Sequence, residues 1–231
     1  MKKIKFMPMS NELGNKLDAP KPAKSYVPDW YKKATQFRGG EMKTERYGIN
    51  KDLKLCVPFL DALTSGYCLE LPVDVLVQRD EKGVVFFWNE LDYLIVNRDH
   101  DMATTLPRPA GHDQGFFAWK LSIGFELPAG YSCLITHPFN RYDLPFITTS
   151  GVMESDNYTP AGEAPFFIRS GFTGVIPAGT PIVQIFPFKR ENWESEYVPF
   201  DKSKTDKQRS LVNKYLYGGY KKHLWVKKTY N

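Results

Sequence analysis

Two polar segments of the sequence, residues 136–143 and 150–158, hold the side chains best suited to chemistry. The first combines a histidine, an asparagine and an arginine, and the second combines two carboxylates with a tyrosine. Carboxylates and histidines exchange protons and arginines bind anionic groups, so the two segments together could form a site. A structural role accounts for the same residues, with the two carboxylates in a polar turn between strands and Arg141 paired with Asp143 at the surface.

The histidines and cysteines favour no metal site. His100 and His112 are each followed directly by an aspartate, whereas an iron site with two histidines and a carboxylate often uses His-x-Asp. Adjacent side chains point to opposite sides of a strand, so we expect exposed loop histidines and neither a metal nor a cofactor. The three cysteines lack metal-type spacing and lie beside apolar residues, which favours buried thiols in a reducing compartment. They are Cys56, Cys68 and Cys133.

Several enzyme classes lack their motifs in this sequence. It contains no Gly-x-x-x-x-Gly-Lys phosphate loop, no Gly-x-Gly-x-x-Gly after a strand and no Gly-x-Ser-x-Gly nucleophile elbow. His-Glu-x-x-His and paired Cys-x-x-Cys are also absent. These absences argue against nucleotide-binding enzymes of the common types, α/β-hydrolases and zinc proteins.

The elements that must position the two polar segments are predicted to be strands. Two similar phrases, Leu127-Pro128-Ala129-Gly130 and Ile176-Pro177-Ala178-Gly179, each precede an apolar run, and such a turn before a β-rich run predicts a strand. An aromatic content of 15%, with 17 prolines and 17 glycines, favours many short strands and turns. We predict a hairpin over residues 73–88 and strands at 67–72, 116–127, 131–137, 145–153, 165–170, 172–176 and 181–188.

About nine or ten short strands without strand–helix alternation predict an all-β fold, a sandwich or a distorted barrel of β-clip or jelly-roll type. We place this β domain at residues 54–197. An extended basic arm with a short helix opening near Pro28 precedes it at residues 1–53. A C-terminal helix and a basic, aromatic tail follow at residues 198–231, where Thr205-Asp206-Lys207-Gln208 has capping-box form.

The net charge of +5 is concentrated at the two ends of the chain. A polybasic end can contact nucleic acid, a membrane surface or an acidic protein, or it can be a solvated face. No stretch approaches the length of a membrane span, and the N-terminus lacks the apolar region of a signal peptide. We therefore expect a cytoplasmic protein in the cell that produces it, without a membrane partner.

The second polar segment and the strand after it carry a first resemblance. Gly151-Val152-Met153-Glu154-Ser155-Asp156-Asn157-Tyr158 and Gly179-Thr180-Pro181-Ile182-Val183-Gln184-Ile185 are similar, in order, to motifs of the trimeric dUTPase and dCTP deaminase superfamily. The resemblance covers about residues 127–190 and implies a nucleotide-binding hydrolase. It implies catalytic roles for Glu154 or Asp156, with Arg141, and stacking of Tyr158 on a sugar. The Arg-Ser-Gly phosphate segment and the Gly-rich C-terminal motif of that superfamily are missing here.

A second resemblance covers residues 54–197. The chain resembles a family of uncharacterised proteins from tailed phages, notably those of marine cyanobacteria, and from some bacteria. The matching phrases are Cys56-Val57-Pro58-Phe59, Ser65-Gly66-Tyr67, Leu127-Pro128-Ala129-Gly130-Tyr131, Ser150-Gly151-Val152-Met153-Glu154-Ser155-Asp156 and Phe186-Pro187-Phe188-Lys189-Arg190-Glu191. This resemblance implies a phage-encoded protein and no particular activity.

Taken together, these patterns favour a non-enzymatic β-rich structural or binding protein, phage-encoded and part of an assembly. A dUTPase-like hydrolase using Glu154, Asp156, Arg141 and Tyr158 is the alternative, and a nucleic-acid-binding protein using the basic tail is a third hypothesis. The expected partners are protein subunits, in a homo-oligomer or a virion. The predicted binding residues are His137, Asn140, Arg141, Gln184, Lys221, Lys222 and Trp225.

Overall fold

The structure, a computed structural model, describes residues 2–9, 17–46, 48–98, 106–159 and 162–231. The chain forms two compact units, each assembled from two stretches of sequence. The first unit comprises Met1–Ala23 and Gly66–Arg190, and the second comprises Lys24–Ser65 and Glu191–Asn231. The division of the chain into an arm, a β domain and a tail stays a prediction.

The first unit is built from antiparallel β-strands. Its strands are β1 Lys5–Pro8, β2 Lys21–Pro22, β5 Tyr67–Glu70, β6 Val75–Asp80, β7 Gly83–Phe87, β8 Ile95–Asn97, β9 Phe117–Lys120, β10 Ile123–Glu126, β11 Tyr131–Thr136, β12 Phe146–Thr148, β13 Gly151–Met153, β14 Glu163–Ile168, β15 Gly174–Ile176 and β16 Pro181–Lys189. They pair in the orders β13-β11-β16-β5-β2, β12-β14-β9-β8, β15-β6-β7 and β1-β10. The predicted all-β fold class is confirmed, and none of these sheets closes into a barrel within the described residues.

An aromatic cluster fills the core of the first unit. Trp119 is fully buried and stacks on Phe166 with ring centroids 3.8 Å apart. Its indole N–H donates to Thr148 Oγ1 over 3.3 Å, and that hydroxyl donates in turn to the backbone oxygen of Ile182 over 2.7 Å. The buried tryptophan therefore has its polar atom satisfied, as a stable core requires.

Two predicted strands are each divided between sheets. The run 116–127 forms β9, which pairs with β8 and β14, and then β10, which pairs with β1. Between them the backbone N–H of Leu121 donates to Gly162 and not to a ladder partner. The run 145–153 likewise divides into β12 and β13. An apolar run does not reveal such a change of partner, because both halves are buried in the same way.

The second unit holds the helices and one small hairpin. Its elements are a 3₁₀ turn at Leu53–Leu55, helices α1 Asp29–Lys33, α2 Val57–Thr64, α3 Lys202–Asn213 and α4 Gly219–His223, and strands β3 Thr44–Glu45 and β4 Gly48–Ile49. A further 3₁₀ turn, Ala23–Tyr26, spans the residues where the chain passes from the first unit to the second. The predicted helix after Pro28 is confirmed as α1.

The start of α3 differs from the predicted capping box. Asp201 is the N-cap, and its carboxylate accepts the backbone N–H of Lys204 over 2.9 Å. The Thr205 hydroxyl donates to the backbone oxygen of Asp201 over 2.8 Å, so Thr205 lies inside the helix. An aspartate satisfies a free N–H of the first turn as well as a threonine does, and here it lies four residues earlier. No helix of the described residues is long and apolar enough to cross a membrane.

Candidate functional site

Strand β11 positions both polar segments that the sequence singled out. It pairs with β13 on one side and with β16 on the other. The Pro-Ala-Gly turn leads into it, with Gly130 at φ +81° and the backbone N–H of Tyr131 donating to Pro128. The predicted turn is thus confirmed, and each end of β11 carries one group of the candidate residues.

At the start of β11 the candidate carboxylate Asp156 is fully engaged. Its Oδ2 accepts the backbone N–H of Gly130 over 2.8 Å. The guanidinium of Arg190 binds both carboxylate oxygens, at 2.8 Å and 2.5 Å. The same guanidinium lies 3.3 Å from the backbone oxygen of Tyr131 and from the hydroxyl of Ser132. The Asp156 side chain is only 6% exposed, so this pair fastens the turn after β13 to the start of β11.

The electrostatics of this pair hold the carboxylate in its charged form. Hydrogen bonding to Arg190 lowers the pKa of Asp156 from 3.8 to about 2, with a further contribution from the Gly130 N–H. A general base is most effective with a pKa near the working pH, and this carboxylate lies far below neutrality. Chemically, the arrangement is suited to fastening a turn.

The other two candidates of this group face solvent. Glu154 is exposed, and its backbone oxygen accepts the N–H groups of Asn157 and Tyr158, each over 3.0 Å. The ring of Tyr158 is 56% exposed. The segment is therefore a hydrogen-bonded polar turn with an open aromatic side chain.

At the opposite end of β11, His137 anchors a second turn. Its Nδ1 accepts the backbone N–H of Thr148 over 3.3 Å, so the proton lies on Nε2, which donates to the backbone oxygen of Arg141 over 3.0 Å. Burial lowers the pKa of His137, and the imidazole is therefore neutral at physiological pH. A neutral ring with both nitrogens bonded to backbone has a positioning role.

The remaining residues of this turn are also held by hydrogen bonds or backbone geometry. Arg141 binds the carboxylate of Asp143 through Nε and Nη2, at 2.9 Å and 3.0 Å. Asn140 has φ +60°, a conformation that asparagine tolerates better than most residues. The buried amide of Gln184 accepts the backbone N–H of Phe139 over 2.8 Å. The predicted pairing of Arg141 with Asp143 is confirmed.

The structure brings the predicted catalytic residues together only in part. Asp156 bonds to Gly130, just before β11, whereas Arg141 belongs to the turn after it. The six residues of β11, each advancing about 3.3 Å, therefore lie between the two groups along the strand. A cavity of about 450 Å³ opens elsewhere in this unit, floored by leucines such as Leu71 and Leu121, and none of the four residues lines it.

The predicted binding residues of the tail belong to the second unit and are partly engaged there. Lys222 Nζ donates to the hydroxyl of Tyr215 over 2.9 Å, and the ammonium of Lys221 lies 5.9 Å from the ring centroid of Trp225. The indole N–H of Trp225 donates to Asp61 Oδ2 over 2.8 Å. This tryptophan therefore fastens the tail to α2.

The cysteines correct one expectation. Cys68 and Cys133 are buried as predicted, and burial raises the pKa of each thiol to about 12. Cys56 is exposed, because it lies at the N-terminal end of α2 and not within a strand. Among the described residues no three His, Cys, Asp or Glu side chains form a metal-binding group, and His100 lies outside those residues.

The sequence did not predict two features of this region, the partner of Asp156 and the exposure of residues 191–200. Arg190, the partner of Asp156, follows the last strand by one residue, and only the register of β16 against β11 brings it opposite Gly130. The ten residues 191–200 form no helix or strand and are all exposed. The aromatic content of residues 191–200 could have indicated this exposure. Aromatic side chains without a predicted helix or strand to bury them are typical of a contact surface.

The chain was compared with protein families, curated proteins and solved structures, and only solved structures are similar to it. No protein-family model and no curated protein matches the sequence. Two solved structures of the dUTPase of phage phi11 of S. aureus, one of a mutant and one showing its species-specific insert, are similar over 87% of this chain and 99% of theirs. They share 10% of residues, with TM-scores of 0.39 and 0.37. Values this low carry no statement about activity.

Proposed function

We propose that the protein is a non-enzymatic, phage-encoded binding protein that works as a subunit of an assembly. The observation that carries this proposal is the exposed segment of residues 191–200, which we call the aromatic segment. Trp193 is 85% exposed, Tyr197 is fully exposed and Phe200 is 76% exposed. Aromatic residues are enriched at protein interfaces, and a run of them held in solvent is typical of a contact element.

The state of the candidate catalytic residues supports binding over hydrolysis. The carboxylate of Asp156 is occupied by Arg190 and by the Gly130 N–H, and its pKa is held near 2. Arg141 is occupied by Asp143. A hydrolase of the proposed alternative type needs these groups around one pocket, whereas here they lie at opposite ends of β11.

The test is the mass of the native particle that carries the protein in cells that express it. We expect the full-length chain to migrate in a complex well above the monomer mass. The variant Trp193→Ala/Tyr197→Ala/Phe200→Ala should shift to the monomer position, because it removes the aromatic contacts. The matched control is Tyr142→Ala, which removes another ring that is 74% exposed but lies outside the segment.

Two results would contradict the proposal. One is a wild-type chain that is monomeric in cells. The other is dUTP or dCTP turnover by the purified protein that disappears in Asp156→Asn, which would support the hydrolase alternative instead.

A further inference from the structure

We propose that the aromatic segment of one copy docks into a groove on the second unit of another copy, and that two chains exchange these segments reciprocally. This inference rests on the proposed function and names the partner. The groove lies beside the corner between α3 and α4 and has a volume of about 470 Å³. We call it the α3–α4 groove.

The α3–α4 groove is lined by apolar, aromatic and basic side chains. Its lining includes Val57, Leu216, Tyr217, Tyr220, Lys51 and Lys221. Leu216 is 69% exposed, and the two tyrosines are more than 40% exposed. No acidic side chain belongs to the lining among the described residues. An extended peptide with aromatic and acidic side chains would complement such a surface.

The corner that forms the groove is held tightly. Gly219 begins α4, and a Cβ atom at this position would lie 2.1 Å from the backbone oxygen of Val212. Any larger residue would separate the two helices. Tyr217, which belongs to the groove lining, packs edge-on against Phe37 with ring centroids 5.4 Å apart. The groove is therefore preformed, which lowers the cost of binding a segment.

The aromatic segment carries the complementary charge. Residues 191–200 contain three acidic residues and no lysine or arginine, a net charge of −3. The whole chain carries +5, so the other residues carry +8. Glu194 and Glu196 lie between Trp193 and Tyr197 and would face Lys51 and Lys221 of the groove lining. A second copy of this chain supplies the basic, apolar surface that the segment requires.

The size of the contact is sufficient for a stable dimer. A buried aromatic side chain covers about 150–250 Å², so the three aromatic residues of two exchanged segments would bury roughly 900–1,500 Å². Stable interfaces bury about 1,200–2,000 Å² in total. Reciprocal exchange also closes the contact with two-fold symmetry, so it does not propagate into a filament.

The chain's own segment does not occupy the groove. None of residues 191–200 belongs to the groove lining, and all ten are exposed in the single chain. Phe200 is followed at once by the N-cap Asp201, and the 12 residues of α3 separate this end of the segment from the α3–α4 corner by about 18 Å.

Sedimentation velocity of the purified full-length protein, without any other component, tests the inference. We expect a monomer–dimer equilibrium. The variant Trp193→Ala/Tyr197→Ala/Phe200→Ala should weaken it at least ~30-fold, the effect of losing one interface hot spot or more. Tyr142→Ala should leave it unchanged. Thermal unfolding of each variant checks that the exposed substitutions leave the fold intact.

A charge exchange identifies the groove itself. One variant carries Glu194→Lys/Glu196→Lys, and the other carries Lys51→Glu/Lys221→Glu. Each alone should be monomeric, because segment and groove then have the same charge. An equimolar mixture should form heterodimers, because each segment then meets an oppositely charged groove. Added salt should weaken the association in the mixture as it does in the wild type.

The outcomes separate this inference from the proposed function. A purified wild-type chain that stays monomeric at 200 µM, or a mixture that stays monomeric, overturns the exchange between copies. If the complex in cells still depends on the aromatic segment in that case, the proposed function stands and the segment binds a different protein. A wild-type dimer unaffected by the triple variant also overturns the inference.

Discussion

At the scale of single residues, the pair of Asp156 and Arg190 shows how one contact changes the meaning of a sequence. The carboxylate resembles a catalytic residue until its partner is known. The guanidinium binds both of its oxygens, and a backbone N–H occupies one of them as well. The two residues are 34 positions apart in the sequence, so no local sequence pattern predicts that they pair. His137 and Arg141 are likewise engaged within the fold, because the ring nitrogens of His137 bond to backbone atoms and the guanidinium of Arg141 binds Asp143.

The contribution of the Asp156 carboxylate to folding stability is predicted to depend on pH. Its pKa is lower in the folded chain, about 2, than its ordinary value of 3.8. The unfolded chain therefore takes up the proton first as the pH falls, so the stabilisation is complete above about pH 4 and is lost towards pH 2. Asp156→Asn should be less stable than wild type at pH 7 in urea unfolding, and this difference should shrink between pH 4 and pH 2. A constant difference over that range would contradict the assignment.

A substitution of Tyr31 is expected to stabilise the protein, in contrast to Asp156→Asn. Its hydroxyl is buried and has no hydrogen-bond partner, a property that no other side chain of the described residues shares. Burial raises the pKa of this phenol, followed by a smaller contribution from Cys56. Tyr31→Phe keeps the stacking on Phe59 and should stabilise the protein by about 1 kcal/mol in urea unfolding, since an unsatisfied buried hydroxyl is costly. The control Tyr215→Phe removes a hydrogen bond that is made and should not stabilise the protein.

At the scale of elements, the hairpin over 73–88 and the helices α1 and α3 could be predicted from the sequence, whereas α2, α4 and the changes of sheet could not. The hairpin over 73–88 is present as β6 and β7 because alternation and a turn are both local signals. The division of 116–127 into β9 and β10 depends on strands elsewhere in the chain. The pairing of Arg190 with Asp156 depends on register in the same way. The candidate segments and the local pair of Arg141 with Asp143 could therefore be predicted, whereas the pairing of Asp156 with Arg190, which follows another strand, could not.

A substitution of Gly66 tests the packing of two strands against each other. It precedes β5 with φ +77°, and a Cβ atom there would lie 2.1 Å from the backbone oxygen of Ile185 in β16. Gly66→Ala should therefore destabilise the first unit by roughly 3–5 kcal/mol, because backbone strain and overpacking add. Gly171 has φ +75° and nothing within 4 Å, so Gly171→Ala should cost only about 1–2 kcal/mol. Equal losses in thermal unfolding of the two variants would refute the close approach of β5 and β16.

At the scale of the whole molecule, the aromatic segment follows the last strand of the first unit and leads into α3 of the second. Exposed backbone without hydrogen-bonded structure is cut first by proteases. Chymotrypsin at low protein concentration should therefore cleave first after Trp193, Tyr197 or Phe200, as mass spectrometry of the fragments would show. The triple alanine variant should resist this first cut.

The nicked protein should nevertheless stay together. The tail is held to α2 through Asp61, whose carboxylate accepts the indole N–H of Trp225 and binds Lys228 at 2.6 Å. We expect the C-terminal fragment to co-elute with the rest of the chain in size-exclusion chromatography. In Asp61→Ala it should be released after cleavage. Release from the wild type would show that these contacts do not hold the tail.

The exposure of Cys56 has a practical consequence. A thiol reacts with alkylating reagents as its thiolate, and the buried Cys68 and Cys133 hold their protons up to a pH of about 12. The unmodified protein thus has one addressable thiol, at the start of α2. The neighbouring residue Val57 lines the α3–α4 groove. A fluorophore or spin label on Cys56 would report on that surface without any change to the sequence.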